Sequence, residues 1–168
     1  PRIVATAIAA SMLPVLSLTH LWLLLTPTLV FIATAKSYIF LGDFWWHLKI
    51  GQTIALSGQI PATDTFSFSA TGATYPYFEW LGELYFYLLY ASGGVELVLF
   101  ADALVMTGLS VLVLTSVKGQ CTGVRLAATS TISFMLIALP NRDARPQILG
   151  FLIFAVWYLL LLRYRRGA

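Results

Sequence analysis

Residues 3–35 read IVATAIAASMLPVLSLTHLWLLLTPTLVFIATA, a run without one charged side chain. About 20 predominantly apolar residues carry a helix across the hydrocarbon core of a bilayer, so this run decides the class of fold. Inside lipid each backbone N–H and C=O must find its partner within the segment, which makes the run helical even with Pro14 and Pro27 in it. It reads as one span centred on residues 12–34. A secretory signal is the competing reading, because Arg2 precedes the run and Ala33-Thr34-Ala35 resembles a cleavage site. The run is too long for that reading.

Composition agrees with a membrane class. Of 168 residues, 59% are hydrophobic and 10% charged, and mean hydropathy is +0.84. Soluble domains carry charge on about a quarter of their residues, because they must cover a large wet surface. The net charge of +3 and pI near 9.2 do not indicate nucleic acid, since the ten Lys and Arg are scattered and mostly flank apolar runs. Cys121 is the single cysteine, so no intrachain disulfide is available. The chain opens on Pro1 rather than Met and ends in a basic cluster, which reads as a processed product or a fragment.

Outward from the first span the character changes. Residues 36–92 bring Asp43, Lys49, Asp64, Glu79 and Glu83 together with glycines and prolines, and form a long extramembrane loop. Within it, Asp43 to Ser57 lacks proline and reads as a surface helix with Phe44, Trp45 and Trp46 at headgroup level, ended by Gly58. Gln59 to Phe78 reads as extended and turning. Trp80 to Ala91 reads as a short interfacial or re-entrant helix closed by Ser92-Gly93-Gly94. Further spans follow at about 95–117, 126–140 and 148–162. The expected architecture is a single all-α membrane domain of about four transmembrane helices with interfacial helices in one loop. If that loop faces outward, Arg2, Lys118, Arg125, Arg163, Arg165 and Arg166 are cytoplasmic against Lys36, Lys49, Arg142 and Arg145 outside, the bias expected of short cytoplasmic loops.

The candidate chemistry sits in the loop. A carboxylate at a membrane interface serves as a general base when it faces a substrate pocket, and Asp43 is placed for that just after the first span. The other reading makes Asp43 a helix cap. His47 lies four residues on, hence on the same helix face. Glu79 and Glu83 are also four apart and form a second carboxylate face, for sugar hydroxyls or a divalent ion; no spacing among Asp43, Asp64, Glu79 and Glu83 is a recognised metal motif, so no metal is expected and a solvated, helix-stabilising role is the plainer reading. Tyr75, Tyr77, Phe78 and Trp80 suit sugar stacking or interface anchoring equally. In Asn141-Arg142-Asp143-Ala144-Arg145-Pro146-Gln147, Arg142 and Arg145 suit bidentate contact with a lipid-carrier phosphate, or else headgroup anchoring.

The runs Gly42-Asp43-Phe44-Trp45-Trp46-His47-Leu48-Lys49-Ile50-Gly51 and Gly58-Gln59-Ile60-Pro61-Ala62-Thr63-Asp64-Thr65-Phe66-Ser67 carry a resemblance. The order of apolar span, Asp, surface helix, Gly-x-Ile-Pro, aromatic loop and short helix resembles the N-terminal part of bacterial membrane glycosyltransferases of the GT-C superfamily, over residues 36–92. The resemblance implies a catalytic base at Asp43, and His47, Asp64, Glu79, Glu83, Arg142 and Arg145 stand beside it as the candidate substrate contacts. It further implies a polyprenyl-phosphate-linked sugar as donor, inversion at the anomeric carbon, and a plasma-membrane location with the loop outside. Members of that family continue for many more spans.

Two other classes stand beside it. A non-catalytic accessory subunit of a larger membrane complex is the first, with pigment ligation through His20 as a variant; no cofactor is identified by the residues themselves. A transporter fragment is the second, using Glu96 and Asp102, the latter an ionisable residue inside a span and therefore a functional candidate by default.

Overall fold

The structure, a computed structural model, describes residues 17–37, 39, 42–138 and 144–167. Over these residues the chain is helical: α1 Leu18–Ala35, α2 Phe44–Ser57, α3 Trp80–Lys118, α4 Val124–Ala138 and α5 Gln147–Arg165. The one strand-like feature among the described residues is an isolated antiparallel bridge between Thr63 and Thr74. Helices α1, α3 and α5 are long and apolar enough to cross a membrane. The chain is an integral membrane protein.

One expected span changes in detail. Helix α4 has 15 residues, about 22 Å at 1.5 Å per residue, short of a hydrocarbon core roughly 30 Å thick. The end of the span expected over 126–140 falls on Leu139 and Pro140, outside the described residues, as do residues 12–16 of the first span, and Arg142. Trp80 to Ala91 forms the expected short helix, the first limb of α3, which breaks at Gly93 (φ −158°, ψ 23°) and Gly94 (φ 67°, ψ −162°) and is followed by the membrane limb. The Gly94 conformation is one that only glycine visits readily, so the Gly-Gly pair fixes where the element bends.

Apolar side chains from all five helices meet in one core that includes Val30, Phe44, Leu48, Phe86, Val98, Met106, Met135 and Ile148. At one end of the bundle Trp22 and Leu23 of α1 pack against Leu114 of α3 and the small, fully buried Ala127 and Ala128 of α4, which let the backbones approach closely. There Arg166 donates to the Gly119 carbonyl at 2.8 Å, tying the end of α5 to the end of α3. The first turn of α1 is closed by a capping box in which Ser17 and His20 bond reciprocally. At the other end α2 packs on the first limb of α3 so tightly that a Cβ on Gly51 would lie 2.0 Å from the Glu83 carbonyl oxygen. Gly82 faces Pro146 in the same way, its Cβ falling 2.6 Å from the proline Cβ. These two contacts bring the starts of α2, α3 and α5 together.

The loop between α2 and α3 is ordered by its own hydrogen bonds. Gly58, in the left-handed region at φ 67°, ends α2 with its N–H on the Ile54 carbonyl. Asp64 N bonds Ala73 O at 2.8 Å, Gly72 N bonds Asp64 O at 2.7 Å and Tyr75 N bonds Ala62 O at 3.1 Å. Tyr77 and Phe66 then pack with Ile50, Ile54, Trp46 and Leu84, which seats the loop on both helices.

Candidate active-site cleft

Three helix N-termini converge on one polar cleft. Asp43 precedes α2, Glu79 precedes α3, and Gln147 opens α5. All three line a cleft of about 400 Å³ together with Trp46, His47, Tyr75, Pro76, Tyr77, Phe78 and Glu83. Unpaired backbone N–H groups and the positive ends of the helix dipoles favour anions at such a place.

Asp43 makes no capping bond; its backbone is helical (φ −65°, ψ −16°), whereas a capping residue is usually extended. Its Oδ2 lies 3.2 Å from Arg145 Nη2, both side chains being about half exposed. His47 sits one turn on, its N–H on the Asp43 carbonyl. The imidazole is gripped by the two glutamates: Nδ1 is 3.0 Å from Glu83 Oε1 and Nε2 is 3.8 Å from Glu79 Oε2. Gln147 Nε2 donates to Glu79 Oε1 at 2.6 Å across 68 residues of sequence. Glu83 is 3% exposed, and its Oε2 has no hydrogen-bond partner among the described residues. His47, Glu79 and Glu83 each offer a ligand atom within 4.8 Å of the others, the only such His/Cys/Asp/Glu group among the described residues.

Of the residues expected from sequence, Asp43, His47, Glu79, Glu83 and Arg145 come together here, while Arg142 lies outside the described residues. Asp64 stands apart from the cleft: it is buried, and its Oδ1 accepts from Phe66 N and Ser67 N, each at 2.8 Å. The Ser67 hydroxyl, the Ser67 amide and the Phe66 amide together hold the Asp64 carboxyl below its usual range. Tyr77, which lines the cleft and donates to Thr63 O, has its phenol pushed up by burial and then by Asp64 and Glu83. Trp80 does not line the cleft, whereas Trp46 and Gln147 do. Gln147 escaped the sequence reading because its partner is on another helix; the one signal was its place at the end of an arginine-bearing loop.

A second cavity, about 950 Å³ and predominantly apolar, runs between α3, α4 and α5. Its walls include Met106, Leu109, Val113, Phe134, Phe151, Phe154 and Tyr158, and extend from Ser116 and Gln120 at one end to Arg145 and Gln147 at the other. Gln147 lines both cavities. The apolar groove therefore opens beside the polar cleft.

The remaining candidates are placed as follows. His20 is occupied in the capping box of α1, its Nδ1 2.7 Å from Ser17 Oγ. Asp102 is buried in the membrane limb of α3, and among the described residues neither carboxylate oxygen has a hydrogen-bond partner. Comparison with protein-family models, with curated proteins and with solved structures finds no match for this chain.

Proposed function

We propose that the chain is a GT-C type membrane glycosyltransferase, or its N-terminal part, that takes a sugar from a polyprenyl-phosphate donor at the outer face of a bacterial plasma membrane. The observation that carries this reading is the junction of the two cavities at Gln147, with Arg145 of the apolar groove paired to Asp43 of the cleft. A polyprenyl-linked sugar has the same three parts in the same order: an apolar tail, a phosphate and a sugar. The tail suits the groove of Phe134, Phe151 and Phe154, the phosphate suits the Arg145 guanidinium, and the sugar suits the cleft of Tyr75, Tyr77 and Phe78.

In this scheme Asp43 accepts the proton of the acceptor hydroxyl, whose oxygen attacks the anomeric carbon while the bond from that carbon to the phosphate oxygen breaks. The polyprenyl phosphate leaves and the configuration inverts. Arg145 now pairs with Asp43, and exposed pairs of this kind are worth about 0.2–1 kcal/mol. A phosphate can therefore draw Arg145 away at little cost and free the base. Outward orientation of the cleft is supported by the described basic residues: Lys118, Arg125, Arg163, Arg165 and Arg166 lie towards the opposite end, against Lys36, Lys49 and Arg145 on the cleft side.

The test is transfer of radiolabelled hexose from a panel of polyprenyl-phosphate hexoses in membranes containing the full chain. Asp43→Asn is expected to lower transfer by about 10²–10⁴ while the protein still folds. Unchanged transfer by that variant overturns the assignment.

An accessory-subunit reading is favoured by one observation: α5 turns Ile153, Trp157, Leu160 and Tyr164 outward on one face with little burial. Helices of a partner subunit suit that face as well as lipid does. Copurification of stoichiometric membrane partners, lost when Ile153 and Trp157 are replaced by alanine, tests it.

A further inference from the structure

We propose that His47, Glu79 and Glu83 form a binding site for a divalent transition-metal ion of the Mn²⁺ or Zn²⁺ class.

The proposal starts from an unmet valence. Glu83 is nearly fully buried, His47 takes its Oε1, and its Oε2 has no partner among the described residues. A buried carboxylate oxygen left without a partner is costly. A protonated imidazole on His47 answers Oε1 and reaches towards Glu79, yet it leaves Oε2 unmet. A cation at the centre of the three side chains answers it. Glu83 lines the cleft, so the orphaned oxygen belongs to a side chain that reaches a space an ion can enter.

Geometry and donor chemistry agree. The three ligand atoms lie within 4.8 Å of one another. Donors at about 2.0–2.2 Å from a common tetrahedral ion stand roughly 3.3–3.6 Å apart, so side-chain rotations that draw the atoms in by about 1 Å close the set. The supporting shell is already built. The backbone approach at Gly51 fixes the start of α2 against Glu83, and Gln147 orients Glu79 through its other oxygen. One imidazole nitrogen with two carboxylates is a borderline donor set: too nitrogen-bearing to favour Mg²⁺ or Ca²⁺, and without the thiolate that selects softer ions. Three protein ligands leave positions open to the cleft. Asp43 lies in the same cleft outside the donor set, so the ion site holds whatever reaction the cleft performs.

The full chain, purified in detergent and stripped with chelator, is titrated with Mn²⁺ while free Mn²⁺ is followed by electron paramagnetic resonance. The expected result is one Mn²⁺ per chain, displaced by Zn²⁺ in keeping with the usual order of affinities, and a rise in melting temperature on loading. His47→Ala and Glu83→Gln are each expected to weaken binding at least about tenfold, whereas Asp43→Asn retains it. Glu79→Gln, at a half-exposed position, serves where a core variant fails to fold. Absence of stoichiometric Mn²⁺ or Zn²⁺ binding by the unaltered chain overturns the proposal and leaves an imidazolium bridging two glutamates. So does undiminished binding by folded His47→Ala or folded Glu79→Gln. Loss of sugar transfer in Asp43→Asn with metal retained separates this site from the catalytic reading.

Discussion

Replacing Gly51 with alanine tests the contact on which the cleft depends. The added Cβ would stand 2.0 Å from the Glu83 carbonyl oxygen, 2.6 Å from its carbon and 2.9 Å from Tyr87 Cβ. Ordinary contact begins at 3.4 Å, so α2 and the first limb of α3 must separate locally by 3.4 − 2.0 = 1.4 Å. The obstacle is backbone on a helix, and no side-chain rotation relieves it. Overpacking of this kind costs about 1–3 kcal/mol, and at roughly 2–4 °C per kcal/mol for a chain of this size the melting temperature falls by roughly 2–12 °C. The same displacement stretches the 3.0 Å contact of His47 with Glu83 beyond hydrogen-bond reach. Gly150→Ala is the internal control, because nothing lies within 4 Å of its Cβ position on α5; there alanine's better helix propensity gains about 1 kcal/mol. The assay is thermal unfolding of the purified chain in detergent, followed by circular dichroism. If Gly51→Ala melts with the unaltered protein while Gly150→Ala rises, the close approach of α2 and α3 is wrong, and with it the placement of Glu83.

Gly94→Ala, at φ 67° and ψ −162°, is expected to cost on the order of 1–3 kcal/mol of backbone strain, seen as a lower melting temperature with helix content kept. Ala155→Phe puts a ring into the apolar groove; on the glycosyltransferase reading it raises the KM for the lipid-linked donor while leaving the melting temperature within a few degrees, and an unchanged KM removes the groove from the donor site. Asp64→Ala removes the acceptor of two backbone amides and is expected to speed thermolysin cleavage between Gly58 and Pro76, where equal cleavage would deny Asp64 its loop-closing task. Because the folded Asp64 carboxyl titrates below its ordinary 3.8, its contribution is complete above the unfolded value near 3.9 and is lost as pH falls through the lower folded value. Hydrogen-exchange protection of the Phe66 and Ser67 amides, corrected for intrinsic rates, should hold from neutral pH to about 4 and decline below it.

Much of this fold follows from local rules that a sequence displays. The uncharged run before Lys36, the glycine that ends α2 and the Gly93-Gly94 break each act within a few residues, and each appears where the pattern puts it. The Gly-Gly pair separates two helical limbs, and what the pattern does not display is that Phe86 of one limb and Val98 of the other pack into one core. The candidate site divides the same way. Pairs at four-residue spacing, Asp43 with His47 and Glu79 with Glu83, share faces by helix periodicity alone. That the two faces meet depends on Gly51, whose missing side chain carries no chemical signal of its own. Asp64 stands in the resembling motif, and a carboxylate two and three residues before the Phe66 and Ser67 amides closes its own turn, a local role that the spacing alone displays.

The cap positions give the sharpest indication that the cleft is more than a structural corner. Capping side chains typically add about 0.5–2 kcal/mol to a helix, and both Asp43 and Glu79 occupy the residue before a helix without making that bond. Asp43 turns to Arg145, and Glu79 turns to Gln147 and His47. The first amides of α2 and α3 are thereby left free of side-chain caps beside the cleft, and two carboxylates are spent on partners from other helices. A sequence selected for stability alone would use Asp43 as its cap. The arrangement makes sense when an anion arrives at the helix starts and a carboxylate must be free to accept a proton, which is the demand that transfer from a phosphate-linked donor makes.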